Sequence, residues 1–154
     1  MNLVKMSREE RLEALKELVK PFKDRALEHD LAGTFPYENY ADLRRVNFPA
    51  LTIPKRYGGA EISLVEMLRL QSEIAKQDGS TGLAIGWHMG ISKSLGESRA
   101  WDESLYATFA KAVIEEGALI NNAASEIATG SPTRGGRPET EAVKTANGWC
   151  ITGR

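Results

Sequence analysis

The 154-residue chain contains one cysteine, Cys150. That scarcity excludes an internal disulfide and any cysteine-based zinc site. Cys150 itself reads as a small apolar residue in a strand. An excess of charge of one sign is also missing: 20 basic residues stand against 21 acidic ones, a net charge of −1. Nucleic-acid binders usually show a basic excess or stripe, so no nucleic-acid partner is expected. No apolar run reaches the ~18 residues that suggest a membrane span. Met1 to Glu10 is polar and has no apolar signal-peptide core. The basic residues that follow are mixed with acids, unlike a transit peptide. A cytoplasmic protein is expected from these absences together. What is present is ordinary for a globular chain, with 42% apolar and 27% charged residues and enough length for one real core.

Ser7 and Glu10 form a capping-box pattern at the start of a helix. Leu12, Leu15, Val19, Phe22 and Ala26 then recur at helical spacing. Pro21 lies inside that pattern and should kink or restart the helix, because it has no N–H to donate and crowds the preceding turn. Ala32-Gly33 reads as the stop. A short helix is expected from Tyr37 to about Val46. An extended stretch is expected through Phe48, Pro49 and Leu51 to Pro54, with a turn at Tyr57-Gly58-Gly59.

Ser63 and Glu66 give a second capping box, ahead of an apolar stripe of Leu64, Met67, Leu68, Ile74 and Ala75. Asp78-Gly79 closes that helix, and Ser80 or Thr81 can cap the next. Gly82 to Ile91 carries two patterns. Leu83, Ile85, Trp87, Met89 and Ile91 alternate like a strand, whereas Gly82, Gly86 and Gly90 would line one face of a helix. Each glycine costs a helix about 1 kcal/mol relative to alanine, so a helix here needs close packing to hold it. The residues alone leave both patterns open. A helix from about Asp102 to Glu116 follows, with Leu105, Phe109, Ala112 and Val113 inward.

After Gly117 the character changes. Ala118-Leu119-Ile120 opens a strand-like run to about Ser125, and Thr129 to Pro138 is a loop rich in Gly, Pro and Arg. Asn147-Gly148, between Ala142–Thr145 and Trp149–Thr152, is a strong hairpin signal. A hairpin alone is marginal in water, so this β region reads as unfinished.

The order of these signals resembles the acyl-CoA dehydrogenase family over essentially the whole chain. The family's Ile-Pro, Tyr-Gly-Gly and Ser phrase is matched by Ile53-Pro54, Tyr57-Gly58-Gly59 and Ser63. Its next helix is matched by Glu73 to Ser80, and its mid-helix histidine by His88. Its Thr-Glu and Gly-Ser-Asp segment reads Ser125-Glu126 and Gly130-Ser131-Pro132 here, and a later phrase matches Ala142 through Gly153. The fold class implied is mainly α with a β region: an N-terminal helical domain over 1–117, then an incomplete β-barrel domain over 118–154. The resemblance also implies that the glycine-spaced segment is a buried helix.

The resemblance implies FAD as cofactor, or FMN if the chain belongs to the flavin-dependent monooxygenases that share the fold. Ser125 matches a threonine that meets the flavin ring, and Ala124 offers a backbone contact beside it. Ser131 matches a serine near the flavin phosphates and the acyl-CoA entrance, and Gly130 permits close backbone approach. Two departures stand out. Pro132 replaces the usual aspartate, and Thr133-Arg134-Gly135-Gly136-Arg137-Pro138 is unusually basic. Arg134 or Arg137 either meets a phosphate or belongs to a solvated loop. His88 is either a core histidine with one satisfied hydrogen bond or a residue near the flavin and substrate. His29 reads as a surface residue at a helix end, and Trp149 as a barrel-packing aromatic. The family's base is a downstream glutamate; Glu126 does not match it, so no catalytic residue is assigned.

The activity implied is α,β-dehydrogenation of an acyl-CoA thioester, in fatty acid metabolism, with an electron-transfer flavoprotein as acceptor and a homo-oligomer, commonly a tetramer, as the assembly. The first alternative is a monooxygenase using reduced flavin and oxygen. The second is a non-catalytic fragment or assembly module.

Overall fold

The computed structural model describes residues 1–153 and divides the chain into two compact units, Met1–Asn121 and Asn122–Arg154. The first is helical. It contains α1 (Arg8–Val19), α2 (Phe22–Ala32), α3 (Tyr37–Arg45), α4 (Leu64–Gln77), α5 (Gly79–Ser98) and α6 (Glu103–Glu116). The second holds one hairpin, β1 (Glu141–Thr145) against β2 (Gly148–Thr152). The chain is thus mainly helical with a two-stranded sheet near its C-terminal end.

The helix ends follow local chemistry. Ser7 Oγ accepts from the Glu10 backbone N–H, and the Glu10 carboxylate accepts from Ser7 N–H at 2.9 Å, a complete capping box. Pro21 restarts the chain rather than kinking one long helix: α1 ends at Val19 and α2 begins at Phe22. Gly33 ends α2 at φ +63°, where a residue with a Cβ is disfavoured. At α4 only half of the expected box forms. Ser63 Oγ accepts from Glu66 N–H, but the Glu66 carboxylate turns inward to Arg11. The α5 cap is Asp78 rather than Ser80 or Thr81, because its carboxylate accepts from Ser80 N–H at 2.9 Å.

The glycine-spaced segment is the middle of α5, in accord with the helix that the resemblance implies. The cause is the contact with α4. A Cβ on Gly82 would stand 2.7 Å from the Ala75 Cβ and 2.9 Å from its Cα. A strand's alternation is present in the sequence, but the helix backbone can approach α4 only where side chains are missing. The inward faces differ from the expected ones by a small rotation. In α4, Met67, Leu70 and Ile74 are buried while Leu64, Leu68 and Ala75 are exposed. In α6, Tyr106, Ala110 and Val113 are buried and Leu105 is exposed.

Residues Phe48–Thr52 form a 3-10 helix, not the extended stretch expected, and all of them are buried. They sit among α3, α5 and α6. The main core joins Leu15, Val19, Phe22, Leu43, Phe48, Leu51, Leu70, Ile74 and Ile85. A second cluster joins Ala50 and Ile53 to Tyr106, Ala110 and Val113 of α6. Arg11 ties the amino-terminal end into this core. It pairs with Glu66, and it also donates to the carbonyls of Leu3 and Met6, each at 2.9 Å. Both members of the pair are buried.

The strand-like run expected from Ala118 to Ser125 is not a strand. Two of its N–H groups go to helical neighbours: Ala118 N–H to the Ala112 carbonyl at 3.2 Å, and Ile120 N–H to His88 Nδ1 at 3.1 Å. The hairpin forms with Thr145 opposite Gly148 and Ala142 opposite Ile151, as the Asn-Gly signal predicts. Cys150 lies in β2, exposed, and Trp149 is 64% exposed, so it packs into no barrel among the described residues.

Two outcomes follow from this packing. Gly82→Ala, which would stabilise an exposed helix by about 1 kcal/mol, is expected to destabilise this one by roughly 1–2 kcal/mol through overpacking against Ala75. Arg11→Ala is expected to cost about 3–5 kcal/mol by stranding the buried Glu66 carboxylate. Replacing the pair together, Arg11→Met with Glu66→Leu, should recover most of that loss. Urea unfolding of the variants measures each, and a neutral Gly82→Ala would refute the close-packing explanation of α5.

Candidate functional site

Most of the candidate residues fall on one loop of the second unit. Ala124 is half-buried and Ser125 exposed, just before Glu126. Glu126 and Gly130 then exchange two backbone hydrogen bonds, Glu126 N–H to the Gly130 carbonyl at 3.1 Å and Gly130 N–H to the Glu126 carbonyl at 2.8 Å. Gly130 is at φ +72°, and no atom lies within 4 Å of where its Cβ would be. The closed turn therefore presents bare backbone to open space, which a side chain would obstruct.

Ser131 caps a short 3-10 turn, Pro132–Arg134. Its Oγ accepts from Thr133 N–H at 3.3 Å and lies 2.8 Å from Thr133 Oγ1. The Ser131 carbonyl in turn accepts from Arg134 and Gly136 N–H groups at 2.9 and 3.2 Å. A Cβ on Gly136 would stand 2.2 Å from the Thr129 carbonyl oxygen, so the loop closes on itself only with glycine there. Arg134 and Arg137 are exposed at its rim. The loop thus offers hydroxyls at Ser125, Ser131 and Thr133, bare backbone at Gly130, and guanidinium groups at Arg134 and Arg137. That donor set suits a ligand with an anionic group and a polar, flat edge.

Glu126 is the residue that sequence reasoning passed over. Its carboxylate accepts from the backbone N–H groups of Glu139 at 2.7 Å and Thr140 at 2.9 Å. The Thr140 side chain foremost, and then these backbone donors, hold its pKa below the ordinary carboxylate value. Its partners lie 13 and 14 residues ahead. No local pattern signals such a contact.

His88 belongs to the helical unit, in α5, and is 1% exposed. Nδ1 accepts from Ile120 N–H at 3.1 Å, so that nitrogen carries no proton; Nε2 then donates to the Pro49 carbonyl at 3.0 Å. Phe109 stands beside the ring, with centroids 6.5 Å apart. Burial pushes the His88 pKa down, and the hydrogen bond to Pro49 opposes this only in part. His29 meets Thr34 Oγ1 at 2.8 Å and the Glu38 carboxylate at 3.3 Å. No group of His, Cys, Asp and Glu among the described residues could hold a metal.

The helical unit is built on a glycine-lined central helix, and the second unit consists of a serine- and glycine-bearing loop and a hairpin. The family model described as "Acyl-CoA dehydrogenase, N-terminal domain" matches residues 5–96, and the chain belongs to the acyl-CoA dehydrogenase family. It is 45% identical over 143 residues to the acyl-CoA dehydrogenase-like protein YdbM of Bacillus subtilis (strain 168). That match covers 93% of this chain and 37% of YdbM. It is 33% identical over 78 residues to dibenzothiophene monooxygenase of Mycolicibacterium goodii, covering 51% of this chain and 19% of that protein. Among solved structures, TdsC from Paenibacillus sp. A11-2 with FMN and indole shares the fold at a TM-score of 0.75 and 24% identity. There the match covers 92% of this chain and 33% of TdsC. The chain therefore spans little more than a third of the length of YdbM, and less of the other two.

The His88 geometry sets a pH dependence. A buried histidine with a lowered pKa stabilises the fold fully above its unfolded value of 6.5. That contribution is lost as pH falls below 6.5 towards the depressed folded value. Urea unfolding at pH 7.5 and pH 5 should show a loss of stability that is smaller in His88→Gln, which carries no titrating group. Equal losses in both proteins would remove His88 as its source.

Proposed function

We propose that this chain is the amino-terminal portion of a flavin-dependent acyl-CoA dehydrogenase, which oxidises an acyl-CoA thioester at its α and β carbons. The observation that carries this reading is the 45% identity to YdbM over 93% of the chain. FAD is the proposed cofactor, with Ala124, Ser125, Gly130 and Ser131 as its contacts from this chain. Bound there, a flavin would supply the hydride acceptor. The open backbone at Gly130 and the hydroxyls beside it are compatible with such a group.

Ser131 and Arg134 are the proposed substrate contacts, the guanidinium serving an anionic phosphate. His88, 1% exposed with both ring nitrogens engaged by Ile120 N–H and the Pro49 carbonyl, is read as a core histidine rather than a substrate contact. No residue of this chain is assigned as the base. An electron-transfer flavoprotein as acceptor, a cytoplasmic location and a homo-oligomeric assembly complete the proposal. No helix among the described residues is long and apolar enough to cross a membrane.

A second reading is a flavin-dependent monooxygenase. It draws on the 33% identity to dibenzothiophene monooxygenase and on the fold shared with FMN-bound TdsC. FMN would then be the cofactor.

The two readings separate in one experiment on the natural full-length protein. Purified flavoprotein is mixed anaerobically with fatty acyl-CoAs of several chain lengths, and the visible flavin absorbance is followed. Bleaching by acyl-CoA without oxygen is the expected outcome. No bleaching, with an oxygen atom from labelled dioxygen found in added dibenzothiophene or indole when reduced FMN is supplied, would replace the dehydrogenase with the monooxygenase.

A further inference from the structure

The Glu126 carboxylate has an architectural position that its neighbours do not share. Its two oxygens accept from consecutive backbone N–H groups, Oε2 from Glu139 and Oε1 from Thr140, while Oε2 also lies 3.4 Å from Thr129 Oγ1. Its own backbone closes the turn to Gly130. One residue therefore holds the beginning of the loop, at Glu126 and Gly130, to its end, at Glu139 and Thr140, immediately before β1. The enclosed segment carries Gly130, Ser131 and Arg134. A carboxylate suits this task because both its oxygens accept, whereas an amide has only one acceptor and turns an N–H towards a second N–H. Hydrogen bonds to an ionised acceptor are also about twice as strong as neutral ones.

We propose that Glu126 is a positioning residue for the cofactor: it clamps the 126–140 loop so that Gly130 and Ser131 are pre-set to receive a flavin. Glu126 touches neither substrate nor flavin in this assignment. It acts through the backbone it fixes, and the proposal rests on the reading that this loop contacts a flavin.

Glu126→Gln, which keeps the shape and removes one acceptor, tests it in the natural full-length protein stripped of flavin. Three quantities are measured: hydrogen exchange of the Glu139 and Thr140 amides, the Kd for FMN and FAD by fluorescence quenching, and the urea midpoint of the flavin-free protein. The expected result is exchange faster by about tenfold at these two amides and flavin affinity weaker by about tenfold, as loss of one charge-assisted hydrogen bond implies. The urea midpoint should stay unchanged. Faster exchange with unaltered flavin Kd would make the clamp merely structural and overturn the proposal. Unaltered exchange would overturn the clamp itself. A wild-type protein that binds neither flavin would overturn the cofactor reading and this proposal together, whereas tight wild-type binding with an unaffected variant overturns only the role of Glu126.

Discussion

The helical unit depends on keeping one buried stretch of backbone satisfied. Phe48–Thr52 runs through the interior as a 3-10 helix, where every carbonyl left without a donor would be costly. The donors come from two directions. Ala60, Glu61 and Ile62 N–H groups bond the carbonyls of Ala50, Ile53 and Leu51 at 3.3, 3.0 and 3.0 Å. His88 of α5 bonds the Pro49 carbonyl, and Ser92, one turn further on, meets the Thr52 hydroxyl at 2.6 Å. The Tyr-Gly-Gly turn earns its place here: a Cβ on Gly59 would strike the Ile53 carbonyl oxygen at 2.0 Å. Core side chains then pack on both sides of this spine, Phe48 and Leu51 into one cluster, Ala50 and Ile53 into the other.

Other buried polar groups serve the same end of joining distant elements. Asn39 of α3 donates to Asp78, the cap of α5, and to Thr81, each at 3.1 Å, while its side-chain Oδ1 accepts from Arg25 of α2 at 3.1 Å. Arg11 and Glu66 do this for α1 and α4. Such groups tolerate few alternative arrangements, because a misplaced partner leaves a buried charge or donor unmatched. They fix the relative placement of helices that apolar packing alone would hold less specifically.

The second unit has a different physics. Its hairpin buries nothing, and Val143, Trp149 and Ile151 stand exposed. Order in its loop comes from hydrogen bonds at Glu126, from the serine cap at Ser131 and from glycines at points of positive φ or close approach. A loop held this way can present hydroxyls and bare backbone to a ligand without a core beneath it. The chain belongs to the acyl-CoA dehydrogenase family and spans little more than a third of YdbM's length.

Local chemistry was legible in the sequence wherever partners lie within a few residues. The Ser7 capping box, the restart at Pro21, the stop at Gly33 and the Asn147-Gly148 hairpin all depend on near neighbours, so the chain by itself determined them. The resemblance carried by Ile53-Pro54, Tyr57-Gly58-Gly59 and the Ser125–Ser131 segment identified the family, and with it the helix at Gly82 to Ile91 that periodicity left open. Tertiary structure decided the rest. It turned Glu66 from its cap towards Arg11, 55 residues away. It coiled Phe48–Thr52 because donors from residues 60–62 and His88 were in reach. It sent Ile120 N–H to His88 instead of to a strand, and it made Glu126 a clamp through partners that no short-range pattern announces. Each of these is a hydrogen bond whose two ends are far apart in sequence, and only folding determines which ends meet.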